Sequence, residues 1–167
     1  MELLIVRHAI AFERDRQRWR DDGARPLSPA GMRRLLKAAA GLKEFGKTPT
    51  RVLTSPSVRA RQTAQILTEV AGWPRAEDAP ELSPGGSVRA VLALLGRDHS
   101  KVLAVVGHQP ALGALLTACL LGEDGTLSIE MKKNAVACLA FDGSPSAGRA
   151  VLRWLATPRM LRGLRHD

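Results

Sequence analysis

The 167-residue sequence contains no tyrosine, and aromatic residues make up only 4% of it. Few flat side chains are therefore present on which the bases of a nucleic-acid strand could stack. We also find no helix-turn-helix, zinc-finger or RNA-binding motif. Although the formal net charge is +9, we do not expect nucleic acid to be the partner. A basic chain equally attracts phosphorylated molecules and acidic protein surfaces.

Cysteine is scarce, and long apolar runs are missing. Cys119 and Cys138 each lie in an apolar segment without metal-ligand spacing, so we expect small core residues in a reducing compartment, no metal and no cofactor. No apolar run reaches the roughly 18 residues that span a bilayer. The first residues, MELLIVRHA, lack the basic region and the long apolar region of a signal peptide. These absences predict a cytoplasmic protein.

Strand and helix patterns alternate along the chain. Three short apolar runs predict strands covered on both faces: LLIV at 3–6, RVLT at 51–54 and KVLAVV at 101–106. Serine-proline pairs at 28–29 and 55–56 indicate where two intervening helices begin. Two late runs, at 135–141 and 150–155, predict an antiparallel hairpin.

This order of elements predicts the fold class. Strands that alternate with helices favour a mainly parallel central sheet flanked by helices on both faces. The length allows one well-buried domain but not two ordinary ones. We therefore predict a single α/β domain over residues 1–167, built as a three-layer sandwich, with a loop at 73–86, where three prolines and two glycines occur.

Basic side chains follow three of the predicted strands. Arg7 and His8 come directly after the first strand, Arg59 lies in the first turn of the helix after the second, and His108 follows the third. In an open α/β sheet, ligands bind beyond the carboxyl ends of the strands, so we expect these four residues to share one crevice. Taken singly, each also fits an ordinary polar strand end.

The expected set of two arginines and two histidines suits a phosphoryl group. An arginine can contact two phosphate oxygens at once and stays charged near neutral pH. A histidine can act as a nucleophile or as a hydrogen-bond donor. The sequence contains neither a glycine-rich phosphate loop, nor a visible carboxylate cluster for Mg²⁺, nor a cysteine phosphatase signature. We therefore predict a metal-free route through phosphohistidine.

The segments VRHA, SPSVRARQTA and VVGHQP, in this order, resemble the motifs of the histidine phosphatase superfamily, also called the phosphoglycerate-mutase-like superfamily. The segments RPLSPAG, ELSPGG and WLATPRML resemble its small SixA-type phosphohistidine phosphatase branch. The resemblance runs from about residue 1 to about residue 160 and implies the phosphoglycerate-mutase-like fold. It also implies that His8 is the nucleophile that becomes phosphorylated, and that Arg7, Arg59 and His108 bind the phosphoryl oxygens.

Each of three further residues fits two different roles. Glu81, before LSPGG, is the nearest candidate for the acid that relatives use to protonate an alkoxide leaving group, and it equally fits an ordinary loop carboxylate. Arg25 could guide an anionic substrate at the rim of the pocket or be simple surface charge. Trp19, in a charged segment, could form part of a docking surface or pack on the core as a lid.

The resemblance implies a metal-independent phosphatase that removes the phosphoryl group from a phosphorylated protein histidine, such as that of a histidine phosphotransfer domain. Imidazole is a better leaving group than an alkoxide and has less need of a general acid. The lack of a clear general acid in the sequence therefore favours a substrate with a P–N bond. A phosphatase of small phosphate monoesters or nucleotides would use the same pocket, and a non-catalytic phosphate or nucleic-acid binder is the third alternative. We expect a monomer and no association with membranes.

Overall fold

Six strands form one mixed sheet in the computed structural model, which describes residues 1–122 and 126–164. The strands are β1 (Glu2–Arg7), β2 (Arg51–Thr54), β3 (Glu77–Asp78), β4 (Val102–Gly107), β5 (Val136–Phe141) and β6 (Ala150–Ala156). Their order across the sheet is β3-β2-β4-β1-β5-β6. The first four strands pair in parallel, and β5 and β6 pair as an antiparallel hairpin on β1. The predicted mainly parallel sheet with a late hairpin is confirmed.

Helices cover both faces of the sheet. They are α1 (Pro29–Glu44), α2 (Val58–Ala71), α3 (Val88–Gly96), α4 (Ala111–Leu121) and α5 (Pro158–Gly163). Because side chains alternate along a strand, Leu3 and Ile5 of β1 pack with α3 and α4, whereas Leu4 and Val6 pack with α1, α2 and α5. These layers confirm the predicted three-layer α/β sandwich. None of the helices in the described ranges is long and apolar enough to cross a lipid bilayer.

Strands β2, β4 and β1 are neighbours and end at the same level. Val106 of β4 stands opposite Val6 of β1 on one side and opposite Thr54 of β2 on the other. The three segments that follow these strands therefore leave the sheet side by side. This register is what brings Arg7, His8 and His108 to one edge.

Helix α2 begins two residues later than the sequence predicts. The pair Ser55-Pro56 does not open it; the N-terminal cap is Ser57 and the helix starts at Val58. The hydroxyl of Ser55 instead accepts a hydrogen bond from the Ser57 N–H (3.3 Å) and contacts His108 (2.8 Å). The prediction was wrong because a serine-proline pair after a strand looks like a helix cap even when its hydroxyl is engaged elsewhere.

Three further short elements were not predicted. The segment at 73–86 is not all loop, because Glu77 and Asp78 pair with β2 as the edge strand β3 and Pro80–Leu82 form a short 3₁₀ helix. The helix α5 begins at Pro158, with the Thr157 hydroxyl accepting from the Met160 N–H at 3.3 Å. All three elements are too short to show a periodic apolar pattern.

Helix α5 lies unusually close to α1 because of a glycine. A Cβ atom on Gly41 of α1 would stand 1.7 Å from the carbonyl oxygen of Leu161 in α5. No side chain fits at that distance, so the contact requires glycine. Leu161 is 1% exposed and packs into the core beside α1. Cys119 and Cys138 also lie in the core, as predicted.

Candidate active site

The structure brings Arg7, His8, Arg59 and His108 together at the carboxyl edge of the sheet. The ring centroids of His8 and His108 are 4.9 Å apart, with an angle of 55° between the planes. The charges of Arg7 and Arg59 act on both histidines. His8, Arg59 and His108 are only 7%, 2% and 4% exposed. The four residues expected to share a crevice therefore do lie together, whereas their chemical roles stay predictions.

His8 is held by its own backbone neighbourhood. Its N–H donates to the Gly107 carbonyl at 3.0 Å, and the next N–H, of Ala9, donates to the Thr63 hydroxyl at 3.0 Å. The ring Nδ1 lies 2.6 Å from the Ala9 carbonyl oxygen. A carbonyl oxygen only accepts hydrogen bonds, so Nδ1 carries the proton. In a neutral ring the lone pair is then on Nε2, which has no hydrogen-bond partner in the described part of the chain.

Arg7 is tied to the segment that precedes β5. One terminal nitrogen of its guanidinium donates to the Met131 carbonyl at 2.6 Å, and its own carbonyl accepts from the Asn134 N–H at 3.1 Å. Its Nε is buried without a hydrogen-bond partner among the described residues. The guanidinium is therefore fixed in place while part of its donor capacity stays unused.

Arg59 and Asp22 form an ion pair over the site. The Arg59 guanidinium donates to the Asp22 main-chain oxygen at 2.6 Å and lies 3.1 Å from its carboxylate. The same carboxylate accepts from Arg25 Nε at 2.9 Å. The hydrogen bond from Arg25 is the largest of the effects that hold the pKa of Asp22 below its usual value. Asp22 is therefore ionised at neutral pH and poorly suited to donate a proton.

His108 is oriented by two serines that follow β2. Its Nε2 lies 2.8 Å from the Ser55 hydroxyl and 3.4 Å from the Ser57 hydroxyl. The Ser55 oxygen accepts from the Ser57 N–H, which favours the arrangement in which the Ser55 hydroxyl donates to Nε2 of a neutral ring. In that tautomer His108 carries a proton on Nδ1, which is buried and without a partner among the described residues.

Both histidines are uncharged at neutral pH. Burial, followed by the charges of His108, Arg59 and Arg7, lowers the pKa of His8 to about 3, although the Ala9 carbonyl opposes this. Burial, followed by the charge of Arg59, lowers the pKa of His108 to about 4. The arginines consequently carry the positive charge of the pocket, and His8 has a free lone pair at physiological pH.

The other predicted residues are placed differently from one another. Arg25 is 8% exposed and donates to the Phe12 carbonyl at 2.6 Å as well as to Asp22, so the surface-charge alternative is wrong. The Glu81 carboxylate makes no hydrogen bond or ion pair with the four central residues in the described ranges, and its role stays a prediction. Trp19 is half-buried, with its ring centroid 6.1 Å from that of Phe12.

Sequence reasoning missed Asp22 and Ser55. Asp22 lies in a mixed-charge segment in which no residue stands out, and its contact with Arg59 joins positions 37 residues apart. The position of Ser55 could have identified it, because it directly follows β2, and the neighbouring strand β4 ends beside it. Among the described residues, no group of three or more His, Cys, Asp or Glu side chains is arranged to hold a metal ion.

Comparison with known proteins finds relatives among the histidine phosphatases. The sequence family described as Histidine phosphatase superfamily (branch 1) matches residues 3–83. Phosphohistidine phosphatase SixA of Escherichia coli is 30% identical over 166 residues, which cover 97% of both chains. An uncharacterized protein of Picosynechococcus sp. is 41% identical over 128 residues, or 75% of this chain and 76% of that protein.

A solved structure shows the same fold. The protein histidine phosphatase SixA complexed with tungstate superposes with a TM-score of 0.82 at 28% identity, over 96% of this chain and 99% of the other. The structure of SixA from Agrobacterium tumefaciens, at 22% identity, superposes with a TM-score of 0.77. The sheet and its helices are thus shared along almost the whole chain.

Proposed function

The chain belongs to the histidine phosphatase superfamily and is a phosphatase of the SixA type, and from this we propose that it removes the phosphoryl group from a phosphorylated histidine of a protein. In this proposal His8 is the nucleophile and forms a covalent phosphohistidine. Arg7, Arg59 and His108 bind the phosphoryl oxygens. The relative SixA of Escherichia coli, named a phosphohistidine phosphatase, supports this choice of substrate.

Unused hydrogen-bond donors carry the proposal. Arg7 Nε, Arg59 Nε and His108 Nδ1 are all buried nitrogen atoms without a partner among the described residues. Such atoms are rare in folded proteins because each costs about 1–3 kcal/mol. All three belong to side chains that lie near the His8 ring. A ligand with several acceptor oxygens would match them, and a phosphoryl group has three such oxygens in the transition state. The tungstate of the related SixA structure is an oxyanion of similar shape.

The first chemical step uses the free lone pair of His8. Nε2 attacks phosphorus in line, and the bond between phosphorus and the substrate nitrogen breaks. The hydrogen bond from Nδ1 to the Ala9 carbonyl stabilises the positive charge that develops on the ring, as an acceptor does for other catalytic histidines. The arginines stabilise the charge on the equatorial oxygens.

The leaving group makes a strong acid unnecessary. When the other nitrogen of the substrate imidazole is protonated, the ring takes the electron pair of the broken bond and departs as a neutral molecule. An alkoxide would instead need a proton at the moment of departure. Asp22, the carboxylate that contacts Arg59, is ionised. Water then hydrolyses the phosphohistidine on His8, releasing phosphate and restoring the free ring.

A phosphoryl label tests the nucleophile. Brief incubation with a ³²P-phosphohistidine protein should leave a label on the chain that is acid-labile and base-stable, as expected for phosphohistidine. His8→Gln should show neither label nor turnover. His99→Gln is the matched control, because it removes an exposed imidazole outside the site and should keep both. Turnover by a folded His8→Gln variant would refute the assignment of the nucleophile.

The substrate is tested separately, with the same preparation. The value of kcat/KM for the phosphohistidine protein should exceed that for phosphate monoesters such as p-nitrophenyl phosphate or a nucleoside monophosphate. A clear preference for the monoesters would instead favour the small-molecule alternative, with the same pocket and the same nucleophile.

A further inference from the structure

A strongly basic groove begins at Arg7 and leads away from the candidate active site. It is open to solvent and has a volume of about 690 Å³. Six cationic side chains line it: Arg7, Arg34, Lys132, Lys133, Arg159 and Arg162. One carboxylate, that of Glu130, lines it within the described part of the chain. The proposed phosphatase chemistry involves Arg7 alone of this group.

Besides Arg7 at the end of β1, three parts of the chain supply the charges of the groove. Arg34 stands on α1, Arg159 and Arg162 stand on α5, and the two lysines belong to the segment before β5. The close contact between α1 and α5 at Gly41 holds the first two groups together. Like charges in such proximity repel and reduce stability, so the arrangement is unfavourable unless a negatively charged partner compensates it.

The groove and the candidate active site have Arg7 in common. Ile10, two residues after His8, lines the groove. The pKa of Lys133 is lowered by partial burial and then by the charges of Arg7 and Arg25, which lie on the pocket side. An anion that binds beside Lys133 is therefore close to the place where the phosphoryl group would bind.

Asn134 also lines the groove. It is 3% exposed, and its side-chain oxygen is buried without a hydrogen-bond partner among the described residues. Its backbone has φ of +70°, a conformation that asparagine tolerates better than most residues. Its N–H donates to the Arg7 carbonyl at 3.1 Å, so this asparagine fixes the lining of the groove beside Arg7.

We propose that the groove binds an acidic segment of the phosphorylated protein while the phosphohistidine of that protein enters the pocket. This inference rests on the proposed function. A groove that starts at Arg7 meets whatever carries the phosphohistidine, and carboxylates complement its charge. A protein fits better than a nucleic acid, because no aromatic residue lines the groove for bases to stack on within the described ranges.

Matched peptides test the groove. The probes are two synthetic peptides of equal length that carry phosphohistidine, one flanked by glutamates and the other by glutamines. Wild-type protein should show a kcat/KM at least about tenfold higher for the acidic peptide at low salt, a size typical of electrostatic steering. The preference should largely disappear near 1 M salt, where charges are screened beyond about 3 Å.

The variant reverses three charges of the groove. The variant combines Arg34→Glu, Arg159→Glu and Arg162→Glu, and it should have no preference for the acidic peptide. Its kcat/KM for the small molecule phosphoramidate should stay within about twofold of the wild type, since none of the three residues is placed in the pocket. The control variant combines Arg75→Glu, Arg97→Glu and Arg149→Glu. It makes the same change in net charge at exposed positions outside the groove and should keep the preference.

Each other outcome has a distinct meaning. An unchanged preference in the groove variant, or an equal loss in the control variant, would overturn the docking proposal while leaving the phosphatase proposal intact. Salt-sensitive binding of duplex DNA that the groove variant loses, without any peptide preference, would assign the groove to nucleic acid and overturn it too. Turnover of phosphoramidate without turnover of either peptide would count against the proposed function itself.

Discussion

Lowering the pH from 7 to 5 should destabilise this protein through its two buried histidines. His8 and His108 have pKa values of about 3 and about 4 in the folded chain, whereas an unfolded histidine has a pKa of about 6.5. Between these values the unfolded chain binds protons that the folded chain does not. Stability therefore falls as the pH drops through 6.5, and the loss continues until the folded pKa is reached. Histidines with raised pKa values in the folded chain would instead make the protein more stable as the pH falls.

The size of the effect follows from the protons bound. Each pH unit within the window lowers the free energy of unfolding by about 1.4 kcal/mol for each histidine. From pH 7 to pH 5 the loss integrates to about 2 kcal/mol for one histidine and about 4 kcal/mol for both. This result depends only on both rings staying neutral at pH 5. Since small domains have a total stability of about 5–15 kcal/mol, the change is easily measured.

Urea unfolding at pH 7 and pH 5 is the assay, in a buffer without phosphate because an anion bound to the folded chain would mask the loss. His8→Gln and His108→Gln should each lose about 2 kcal/mol less than the wild type between the two pH values. His99→Gln, which removes an exposed ring, should behave as the wild type does. A wild-type loss below about 1 kcal/mol would show that the two rings are not kept neutral by burial.

Two more substitutions test contacts that the structure shows. Gly41→Ala places a Cβ atom 1.7 Å from the Leu161 carbonyl oxygen. A urea titration should show that it lowers the free energy of unfolding by about 2–3 kcal/mol. Gly163→Ala, whose Cβ would have nothing within 4 Å, is the control and should not destabilise the protein. Asp22→Asn removes a carboxylate that competes with phosphate for Arg59. The inhibition constant of inorganic phosphate should therefore fall by up to about fivefold, as expected for a partly exposed ion pair. Weaker inhibition by phosphate would mean that Asp22 mainly orients Arg59.

The sheet and the four central residues were predictable because their signals are local. A short run of branched apolar residues such as LLIV indicates a buried strand without knowledge of its neighbours. The residues that follow each strand then fall at a known edge. What remained to be found was the order of the strands, which decides whether His8 and His108 become neighbours. The resemblance to a known family implied the fold, and the structure gives the order of its strands.

The contacts that the sequence did not reveal join distant and irregular segments. Asp22 reaches Arg59 from a segment without periodicity. Arg34 and Arg159 line the same groove because Gly41 allows α5 to approach α1. Their residue types are common on any surface, so composition cannot distinguish a groove from scattered charge. Only the three-dimensional arrangement identifies such features.

The buried, neutral histidines also bear on how the pocket responds to its ligand. Arg7 and Arg59 supply its positive charge, and burial lowers the pKa of both guanidinium groups. A phosphoryl group brings negative charge next to His8 and His108, which raises their pKa values. His108 can then take up a proton and hold the phosphoryl oxygens as a cation, whereas His8 loses this option once its Nε2 bonds to phosphorus. The same low pKa that destabilises the folded chain in acid thus keeps the lone pair of His8, the proposed nucleophile, available until substrate arrives.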